Sequence, residues 1–391
     1  MARLPDADWT RREGLAQLVA ALGGPECVRW VGGAVRDTLL DHPVRDIDAA
    51  TTLHPDDVID RLKQAGIRVV PTGIDHGTVT AILPGGPVEV TTLRKDVSTD
   101  GRRATVEFAS NWQDDAARRD FTINALFADP QSLEVFDYFG GLDDLAARRV
   151  RFIGHARDRI REDHLRILRY YRFQARFGAE LDREAEDACA DLAGTLKGLS
   201  RERVAWELLA LLALPDPSPT VARMRECGVL PVVLPEAGPH EVENLVRTIE
   251  SERTFGIDPD AIRRMAALLP PVRAIAETVS ARLRLSRAQR ERLTCAASRT
   301  ANDALDQKAL AYENGTACAI DRILLGGGDP SQLVGWQAPT FPLKGGEIVA
   351  RGVSAGPEVA RILRSVERRW IAEGFPPRER VEQLLAEALA N

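Results

Sequence analysis

Two aspartates in the first fifty residues have the spacing of a metal-binding pair. Asp46 and Asp48 flank Ile47, and in a strand the side chains of residues two apart point to the same side while the one between them enters the core. Neighbouring carboxylates repel each other unless a cation lies between them. Mg²⁺ prefers carboxylate oxygens together with the phosphate oxygens of a substrate. We therefore predict that Asp46 and Asp48 lie on one strand and hold Mg²⁺.

The segment just before this pair predicts a phosphate site. An apolar run, Val28–Val31, predicts a buried strand, and Gly32 and Gly33 then allow a tight turn into a helix that contains Arg36. Such a turn directs backbone N–H groups at an open site, and an arginine can bind the same phosphate through two hydrogen bonds. A phosphate site and metal-binding carboxylates within the seventeen residues 32–48 together indicate nucleotidyl transfer. Taken singly, a Gly-Gly turn and an Asp-x-Asp pair are more often an ordinary turn and a solvated strand end.

A third group of charged residues has donor and acceptor chemistry that could select a base. The segment Arg161–Gly178 has a helical apolar pattern, and Asp163, Arg166, Arg169 and Arg172 recur every three residues along one side of it. An ionised carboxylate only accepts hydrogen bonds and a guanidinium only donates them, so Asp163 and Arg166 complement the exocyclic amine and ring nitrogen of cytosine or adenine. Uracil and guanine would leave the carboxylate unpaired, at a cost of about 1–3 kcal/mol. The alternative is a plain ion pair on a helix surface, which contributes about 0.2–0.5 kcal/mol.

Several motifs, in this order, resemble those of the class II tRNA nucleotidyltransferases and bacterial poly(A) polymerases, a family of the polymerase-beta superfamily. Gly32–Asp48 resembles the first motif, and Arg118–Leu126, with the sequence RRDFTINAL, is almost identical to the family's RRDFTxNAL. The residue types of Ala116–Leu126 predict a helix over this segment. Glu162–Arg172 fits the base-selecting motif, in which E-D-x-x-R is followed by two further arginines three residues apart. Ser200–Leu208 resembles a motif with the pattern S-x-E-R-x-x-x-E-L, whose role looks structural.

The resemblance implies roles for twelve residues. Asp46 and Asp48 would hold two Mg²⁺ ions, and Glu89 would be a third catalytic acid, although its place in an alternating strand by itself predicts a solvent-facing side chain. The family's GTVT and EVTT segments, which carry this acid, are matched by His76–Thr80 and Glu89–Thr92. The residues expected to bind the incoming nucleotide are Gly33, Arg36, Arg119, Asp120, Asn124, Asp163, Arg166, Arg169 and Arg172.

Two further segments are expected to be mobile. Arg94–Phe108 is polar and contains glycine, which predicts a mobile loop, and it resembles the flexible loop of the family. Because that loop is shortened in relatives that add only CC, its full length argues against a CC-only enzyme. Asp137–Leu145 resembles the family's DxxGGxxDL segment, with an additional aspartate at position 144, and is interpreted as a hinge. An ordinary surface loop and a helix-capping turn are the respective alternatives.

Composition narrows the class of protein. The chain has 391 residues, 44% of them apolar, and lacks the run of eighteen apolar residues that would predict a membrane span. The N-terminal segment is too polar for a secretory signal. The five cysteines are scattered without a C-x-x-C pair, which argues against zinc or a disulfide framework and for a reducing, cytoplasmic location. The net charge of −6 does not indicate an RNA partner, but residues 148–176 contain ten arginines and three acidic residues, which favours contact with polyphosphate or nucleic acid.

These expectations define an α+β enzyme with three parts. Residues 1–150 are expected to form a small, mixed-sheet, polymerase-beta-like head, 151–214 a helical neck that selects the base, and 215–391 a helical body and tail that bind tRNA. The resemblance implies addition of CCA to tRNA 3′ ends from CTP and ATP, with release of pyrophosphate and no obligate protein partner. The alternatives are a poly(A) polymerase, which shares these motifs, and a nucleotide-sensing or RNA-binding protein that has lost catalysis.

Overall fold

The computed structural model describes residues 2–74, 77–99, 104–109 and 111–390. The chain divides into two compact units. The first comprises Met1–Leu211 and Pro219–Val233, and the second comprises Leu212–Ser218 and Leu234–Asn391. In the described part of the chain, no helix is both long enough and apolar enough to cross a membrane. His76, which belongs to one of the matched strand segments, lies outside the described residues.

A seven-stranded mixed sheet organises the first unit. The strands of the described chain are β1 (Val28–Val31), β2 (Asp48–Thr51), β3 (Arg68–Gly73), β4 (Thr78–Leu83), β5 (Gly86–Thr92), β6 (Arg94–Thr99), β7 (Ala104–Phe108), β8 (Phe127–Ala128) and β9 (Val135–Phe136). The order in the sheet is β3-β4-β5-β2-β1-β8-β9, and only the β2–β5 pair is parallel among these described strands. Strands β6 and β7 form a separate antiparallel hairpin.

The central strands β2 and β5 bury their apolar side chains and carry acidic side chains at the edge of the sheet where β2 begins. Ala49 and Ala50 of β2 are fully buried, whereas Asp48, its first residue, is only partly covered. Strand β5 alternates, because Val88 and Val90 enter the core and Glu89 between them is exposed. The parallel register places Asp48 opposite Glu89. The edge of the sheet where β2 begins therefore carries carboxylates above an apolar core.

Helices account for the rest of the first unit. Along the chain up to Val233 they are α1 (Leu15–Ala21), α2 (Gly33–Leu39), α3 (Pro55–Gln64), α4 (Trp112–Ala117), α5 (Gly141–Ala146), α6 (Ala156–Glu162), α7 (Arg166–Phe177), α8 (Arg183–Leu192), α9 (Arg201–Leu212), α10 (Ser218–Glu226) and α11 (Leu230–Val233). Helix α7 buries Ile167, Leu168, Tyr170, Tyr171 and Phe173. The opposite side of α7 carries the arginines that were expected from its sequence.

The second unit is helical throughout its described residues. Its helices are α12 (Pro239–Thr254), α13 (Ala261–Ala267), α14 (Arg273–Arg282), α15 (Arg287–Ala297), α16 (Gln307–Asn314), α17 (Thr316–Leu325), α18 (Gly345–Val349), α19 (Pro357–Ala372) and α20 (Arg378–Ala390). Trp370 of α19 lies in an apolar core that α18 and α20 complete. The predicted α+β class, a mixed sheet followed by helices, is confirmed.

The two aspartates of the predicted metal pair are not on one strand. Strand β2 begins at Asp48, and Asp46 lies two residues before it, exposed to solvent. The pairing of β2 with β5 nevertheless continues to the residue before Asp48, because the Ile47 carbonyl accepts a hydrogen bond from Glu89 N–H. The Ile47 side chain is buried. The expected alternation of side chains is therefore present, although only one of the two acids belongs to the strand.

Two predicted helices are wrong. The helix expected over Ala116–Leu126 stops at Ala117, and a 3-10 turn (Thr122–Asn124) and β8 follow it. Phe121 is extended there and pairs with Phe152, a contact that no local propensity encodes. The helix expected over Arg161–Gly178 is interrupted, because α6 ends at Glu162 and α7 begins at Arg166. Asp163 between them is extended, with φ −147° and ψ 105°.

The hairpin and the cysteines also differ from expectation. Arg94–Phe108, predicted to be a loop, forms the β6–β7 hairpin in which Arg94 lies opposite Phe108; residues 100–103 lie outside the described chain. The expectation of no disulfide is wrong, because Cys295 of α15 and Cys318 of α17 are bonded. The packing of α15 against α17 brings these residues together. The two cysteines are 23 residues apart and belong to no recognisable motif, so their pairing could not be predicted from the sequence.

Candidate active site

One polar cleft in the first unit collects almost all of the predicted residues. Its volume is about 570 Å³. Eleven of the twelve predicted residues line it, and Glu89 does not. Four further residues that sequence analysis did not select complete the lining. The lining consists of Gly32, Gly33, Arg36, Asp46, Asp48, Arg118, Arg119, Asp120, Asn124, Asp163, Arg166, Arg169, Arg172, Phe173 and Arg176.

Seven arginines and four aspartates line this cleft, so it carries an excess of positive charge. The excess arises locally, because the chain as a whole has a net charge of −6. A cleft lined by cations concentrates anionic ligands and raises their rate of association. The arrangement suits a polyphosphate better than it suits an uncharged ligand.

At one edge of the cleft, Asp48 lies in an unfavourable electrostatic environment. Burial raises the pKa of Asp48 to about 6, and the neighbouring Glu89 and Asp46 carboxylates add to this while Arg119 opposes it. Glu89 faces Asp48 across the β2–β5 ladder but is exposed. Ionised Asp48 is therefore costly until a cation compensates it.

This acidic edge fits Mg²⁺ rather than a metal that is enclosed by protein ligands. In the described part of the chain, no group of three or more His, Cys, Asp or Glu side chains has a metal-binding arrangement. Mg²⁺ usually keeps several waters and binds through one or two carboxylates plus substrate phosphates. Asp46 and Asp48, both in the lining of the cleft, supply such a pair. The raised pKa of Asp48 is the property expected of a carboxylate that awaits a cation.

Next to this edge, the turn into α2 requires a backbone conformation that favours glycine. Gly32 has φ +69°, a left-handed conformation that favours glycine, and its N–H donates to the Leu126 carbonyl. A Cβ atom at this position would lie 3.5 Å from an Nη atom of Arg119. Gly33 begins α2, which has only seven residues. The turn therefore lets the backbone approach the cleft closely while arginines supply most of its charge.

Arg36 is held in place by three kinds of contact. It is 4% exposed, and burial lowers its pKa while Asp37, at 2.7 Å, opposes the shift. Its guanidinium donates to Asn124 Oδ1 and lies 4.4 Å from the centre of the Phe177 ring. A partly desolvated cation of fixed orientation binds an anionic oxygen more strongly than a mobile surface arginine does.

The RRDFTINAL segment supplies a second set of oriented groups. Asp115 is buried and pairs with both Arg118 (2.6 Å) and Arg119 (2.9 Å). Asp120 accepts hydrogen bonds from Asn124 Nδ2 and from Arg169, the latter pair 2.6 Å apart. Although burial opposes it, Arg169 and these hydrogen bonds hold the pKa of Asp120 at about 2. The motif thus connects its own arginines and asparagine to helix α7.

Asp163 and Arg166 do not form an ion pair with each other. Asp163 pairs with Arg203 of α9 at 2.7 Å, and Arg166 pairs with Glu162 at 2.6 Å. Each has a different partner, and Asp163 lies in the break between α6 and α7, so the alternative of a plain ion pair between them on one helix is wrong. Both residues line the cleft. They are available there as a separate acceptor and donor.

Helix α9 supports the arginines of α7 through contacts that were not predicted from its sequence motif. Glu207 is 2% exposed and accepts from Arg172 Nε at 2.6 Å and from Arg169 at 3.5 Å. Arg203, four residues earlier, pairs with Asp163. The S-x-E-R-x-x-x-E-L pattern contains both residues at helical spacing, and a buried glutamate requires cationic partners. That signal could have connected this motif to the arginines that recur every three residues.

Two other residues of the lining were also missed. Phe173 lies beneath Arg172, whose guanidinium is 4.7 Å from the ring centre. Arg176 pairs with Asp37 at 3.0 Å. It lies about one helical turn after Arg172 and extends the row of arginines on α7. An apolar ring among cations can contact a base or sugar, while the row of charges follows a phosphate backbone.

Comparison with known proteins gives a consistent result. Residues 28–151 match the family model described as the Poly A polymerase head domain, and residues 178–239 match one described as a probable RNA and SrmB binding site of polymerase A. The mitochondrial CCA tRNA nucleotidyltransferase 1 of Mus musculus is 34% identical over 368 residues, which cover 89% of this chain and 83% of that protein. A CCA-adding enzyme of Streptococcus sanguinis is 42% identical over 188 residues, 48% of this chain and 46% of that protein.

A solved structure has the same fold over nearly the whole chain. The CCA-adding enzyme of Bacillus stearothermophilus, crystallised in complex with CTP, superposes with a TM-score of 0.76 and 24% sequence identity. The match covers 98% of this chain and 99% of that one. At this level of identity the likeness demonstrates a shared fold.

Proposed function

We propose that this chain, which belongs to the CCA tRNA nucleotidyltransferase family, adds C, C and A to the 3′ end of tRNA from CTP and ATP and releases pyrophosphate. The observation that carries the proposal is that one cleft contains both a carboxylate pair and a separate acceptor–donor pair. The first pair suits phosphoryl chemistry, and the second suits the reading of a base.

Asp46 and Asp48 would hold Mg²⁺ at the acidic edge. The bound ions would supply charge neutralisation for the triphosphate and activation of the RNA 3′-hydroxyl. Glu89 is proposed as a third acid, because its carboxylate lies opposite Asp48 in the parallel ladder and raises the pKa of Asp48. Because Glu89 is exposed and outside the cleft lining, its proposed position is on the outer side of the metal pair.

The arginines nearest this edge would bind the triphosphate and sugar. Arg36 and Arg119 are both fixed by buried or partly buried carboxylates and line the cleft beside the Gly32–Gly33 turn. Asn124 accepts from Arg36 and donates to Asp120, so it fixes the positions of a cation and an anion at once. These groups orient the nucleotide, and Asp120 positions Arg169.

Asp163 and Arg166 would select the base. Arg203 pairs with Asp163 at 2.7 Å, and the Asp163 carboxylate can accept a hydrogen bond from the exocyclic amine of cytosine or adenine. A guanidinium carries five N–H donors, and contacts with Glu162, Arg159 and Arg118 fix the plane of Arg166 while using three of them. Arg169 and Arg172, held by Glu207, complete this side of the cleft.

A labelled-nucleotide assay tests the proposal. The purified chain is incubated with Mg²⁺, CTP and ATP and a tRNA that lacks its 3′ end, and the products are resolved at single-nucleotide resolution. Three added nucleotides of sequence CCA are expected. A long A ladder would instead indicate a poly(A) polymerase, an alternative that the CCA-adding relatives do not favour. No incorporation with several RNAs would favour a binding protein without catalysis.

The remaining expectations are proposals of the same kind. The three-part division into head (1–150), neck (151–214) and body with tail (215–391) assigns tRNA binding to the last part. Activity of the purified chain alone would support the absence of an obligate protein partner. The cytoplasmic location is also a proposal, and the Mus musculus relative is described as mitochondrial. Fractionation of the source cells tests it.

A further inference from the structure

We propose that Trp206 is a stacking surface for the 3′-terminal base of the RNA substrate, an inference that rests on the proposed function. Trp206 lies on α9 and is 60% exposed. The guanidinium of Arg172, a residue of the cleft lining, is 5.3 Å from the centre of its ring. An exposed aromatic ring beside a cation at the rim of a nucleotide cleft is the arrangement that single-stranded RNA recognition uses.

The exposure of this side chain is exceptional among the tryptophans of the chain. The chain has six tryptophans, of which Trp30 and Trp370 are buried and Trp9, Trp112 and Trp336 are partly covered. Trp206 alone among them is exposed. Burial of a large apolar side chain contributes about 1.5–3 kcal/mol, so its exposure forgoes a stabilising contribution. Folding of α9 therefore does not explain a tryptophan at this position.

The position of Trp206 along α9 fits a base next to the one that Asp163 reads. Arg203 of the same helix pairs with Asp163, and Glu207 pairs with Arg172. Residues three and four apart lie on one side of a helix, so Arg203, Trp206 and Glu207 share the side near α7. Three residues rise about 4.5 Å along a helix, so Trp206 lies next to the residue that pairs with Asp163.

In this reaction the neighbour of the incoming base is the terminal base of the RNA. The new bond joins the 3′-oxygen of the RNA to the α-phosphorus of the incoming nucleotide, and pyrophosphate leaves. The two bases adjoin at that moment, and the arginines of α7 attract the phosphates between them. Stacking of a base on an aromatic side chain contributes about 1–3 kcal/mol. Because every base has an apolar face, the same ring serves successive terminal nucleotides.

A cycle that removes the tryptophan and the base in turn tests the contact. Full-length wild-type protein, Trp206→Ala and Trp206→Phe are titrated, without nucleotide, with an acceptor-stem RNA and with the same RNA carrying an abasic 3′-terminal nucleotide. We expect Trp206→Ala to weaken binding of the intact RNA about 5- to 150-fold and that of the abasic RNA much less. Trp206→Phe should recover most of the affinity. Leu181→Ala, which removes another exposed apolar side chain of the first unit outside the cleft lining, is the matched control.

Other outcomes would reject the inference. Equal losses with intact and abasic RNA would assign Trp206 a structural role, and an effect confined to the KM of CTP would assign its ring to the incoming nucleotide. The binding assay does not depend on catalysis. Wild-type protein that binds RNA through Trp206 but adds no nucleotide would contradict the proposed function alone. Incorporation without coupling between Trp206 and the terminal base would contradict this inference alone.

Discussion

The two ends of the cleft differ in how the charges of their side chains are balanced. At the acidic edge, Asp48 has two neighbouring acids, and burial raises its pKa to about 6. At the other end, each charged group has a partner of opposite sign, as in the pairs of Arg169 with Asp120 and of Arg172 with Glu207. The acidic edge is therefore unfavourable until a cation arrives, whereas the arginine-rich end is already organised in the folded chain.

This difference distinguishes the groups whose charge is balanced only when a ligand binds from the groups whose positions are fixed before binding. A site that must bind a metal benefits from carboxylates that lack a protein counter-charge, since the ion then supplies it. A site that must discriminate between bases benefits from groups whose orientation is set before binding, because less order is then imposed on association. The following predictions are in order of expected size.

The largest effect should follow the removal of a charge at the acidic edge. Asp46→Asn and Asp48→Asn should each lower kcat for CTP incorporation by about 10³-fold or more, because metal ions contribute several kcal/mol to transition-state stabilisation. Affinity for tRNA should change little. Rapid-quench kinetics and RNA binding measure the two quantities. Full activity in either variant would remove that aspartate from the metal site.

At the other end, loss of a buried partner should affect folding. Glu207→Gln leaves Arg172 without its buried counter-charge and removes one of the two buried carboxylates that pair with Arg169, so it should lower the free energy of unfolding by about 3 kcal/mol. Glu202→Gln, an exposed position on the same helix, should change it by less than about 0.5 kcal/mol. Chemical denaturation of the full chain measures both. Equal stability of the two variants would contradict the view that α9 holds the α7 arginines in place.

Base selection should respond separately from metal chemistry. Asp163→Ala should let UTP and GTP enter more easily relative to CTP and ATP, and Arg166→Ala should weaken CTP and ATP, each by about 5- to 150-fold in kcat/KM. Arg203→Ala should reproduce part of the Asp163 effect because it removes the partner of that carboxylate. The exposed Arg161, paired with Asp158, provides a control through Arg161→Ala. Unchanged ratios among the four nucleotides would end the base-selection hypothesis.

The smallest effect concerns pH and stability at Asp48. Because the pKa of Asp48 in the folded chain, about 6, lies above the ordinary aspartate value of 3.8, ionisation of Asp48 destabilises the fold as pH rises from 3.8 through 6. Without Mg²⁺, Asp48→Asn should therefore raise the free energy of unfolding at pH 7.5 by about 1–3 kcal/mol. The stabilisation should disappear below pH 4.

Added Mg²⁺ should reverse the order of stability of the wild type and Asp48→Asn. Added Mg²⁺ should stabilise the wild type more than Asp48→Asn, because a ligand that binds only the folded state raises its stability. Activity of the wild type should fall below about pH 6, and higher Mg²⁺ should move that limb to lower pH. Thermal unfolding with and without chelator and a pH–rate profile record these effects. A pH limb that ignores Mg²⁺ would assign the titration to another group.

The sequence by itself determined the family, the fold class and eleven of the fifteen residues that line the cleft. The segment Gly32–Asp48, the RRDFTINAL segment and the motif Glu162–Arg172 identified eleven residues that the structure brings into one site. The family and the α+β class were confirmed. These features are legible because residue type and local spacing carry them, through strand alternation, donor–acceptor chemistry and helical periodicity.

Only the tertiary structure decided how those residues are paired. Local periodicity predicted one helix through Asp163, but the chain breaks there, and Asp163 pairs with Arg203, forty positions later. The helix expected after Ala116 gave way to extended pairing of Phe121 with Phe152, and Cys295 met Cys318 because α15 packs on α17. In each case a contact between residues distant in sequence outweighs a local preference of less than about 1 kcal/mol per residue, so the partners become visible only when the elements have packed.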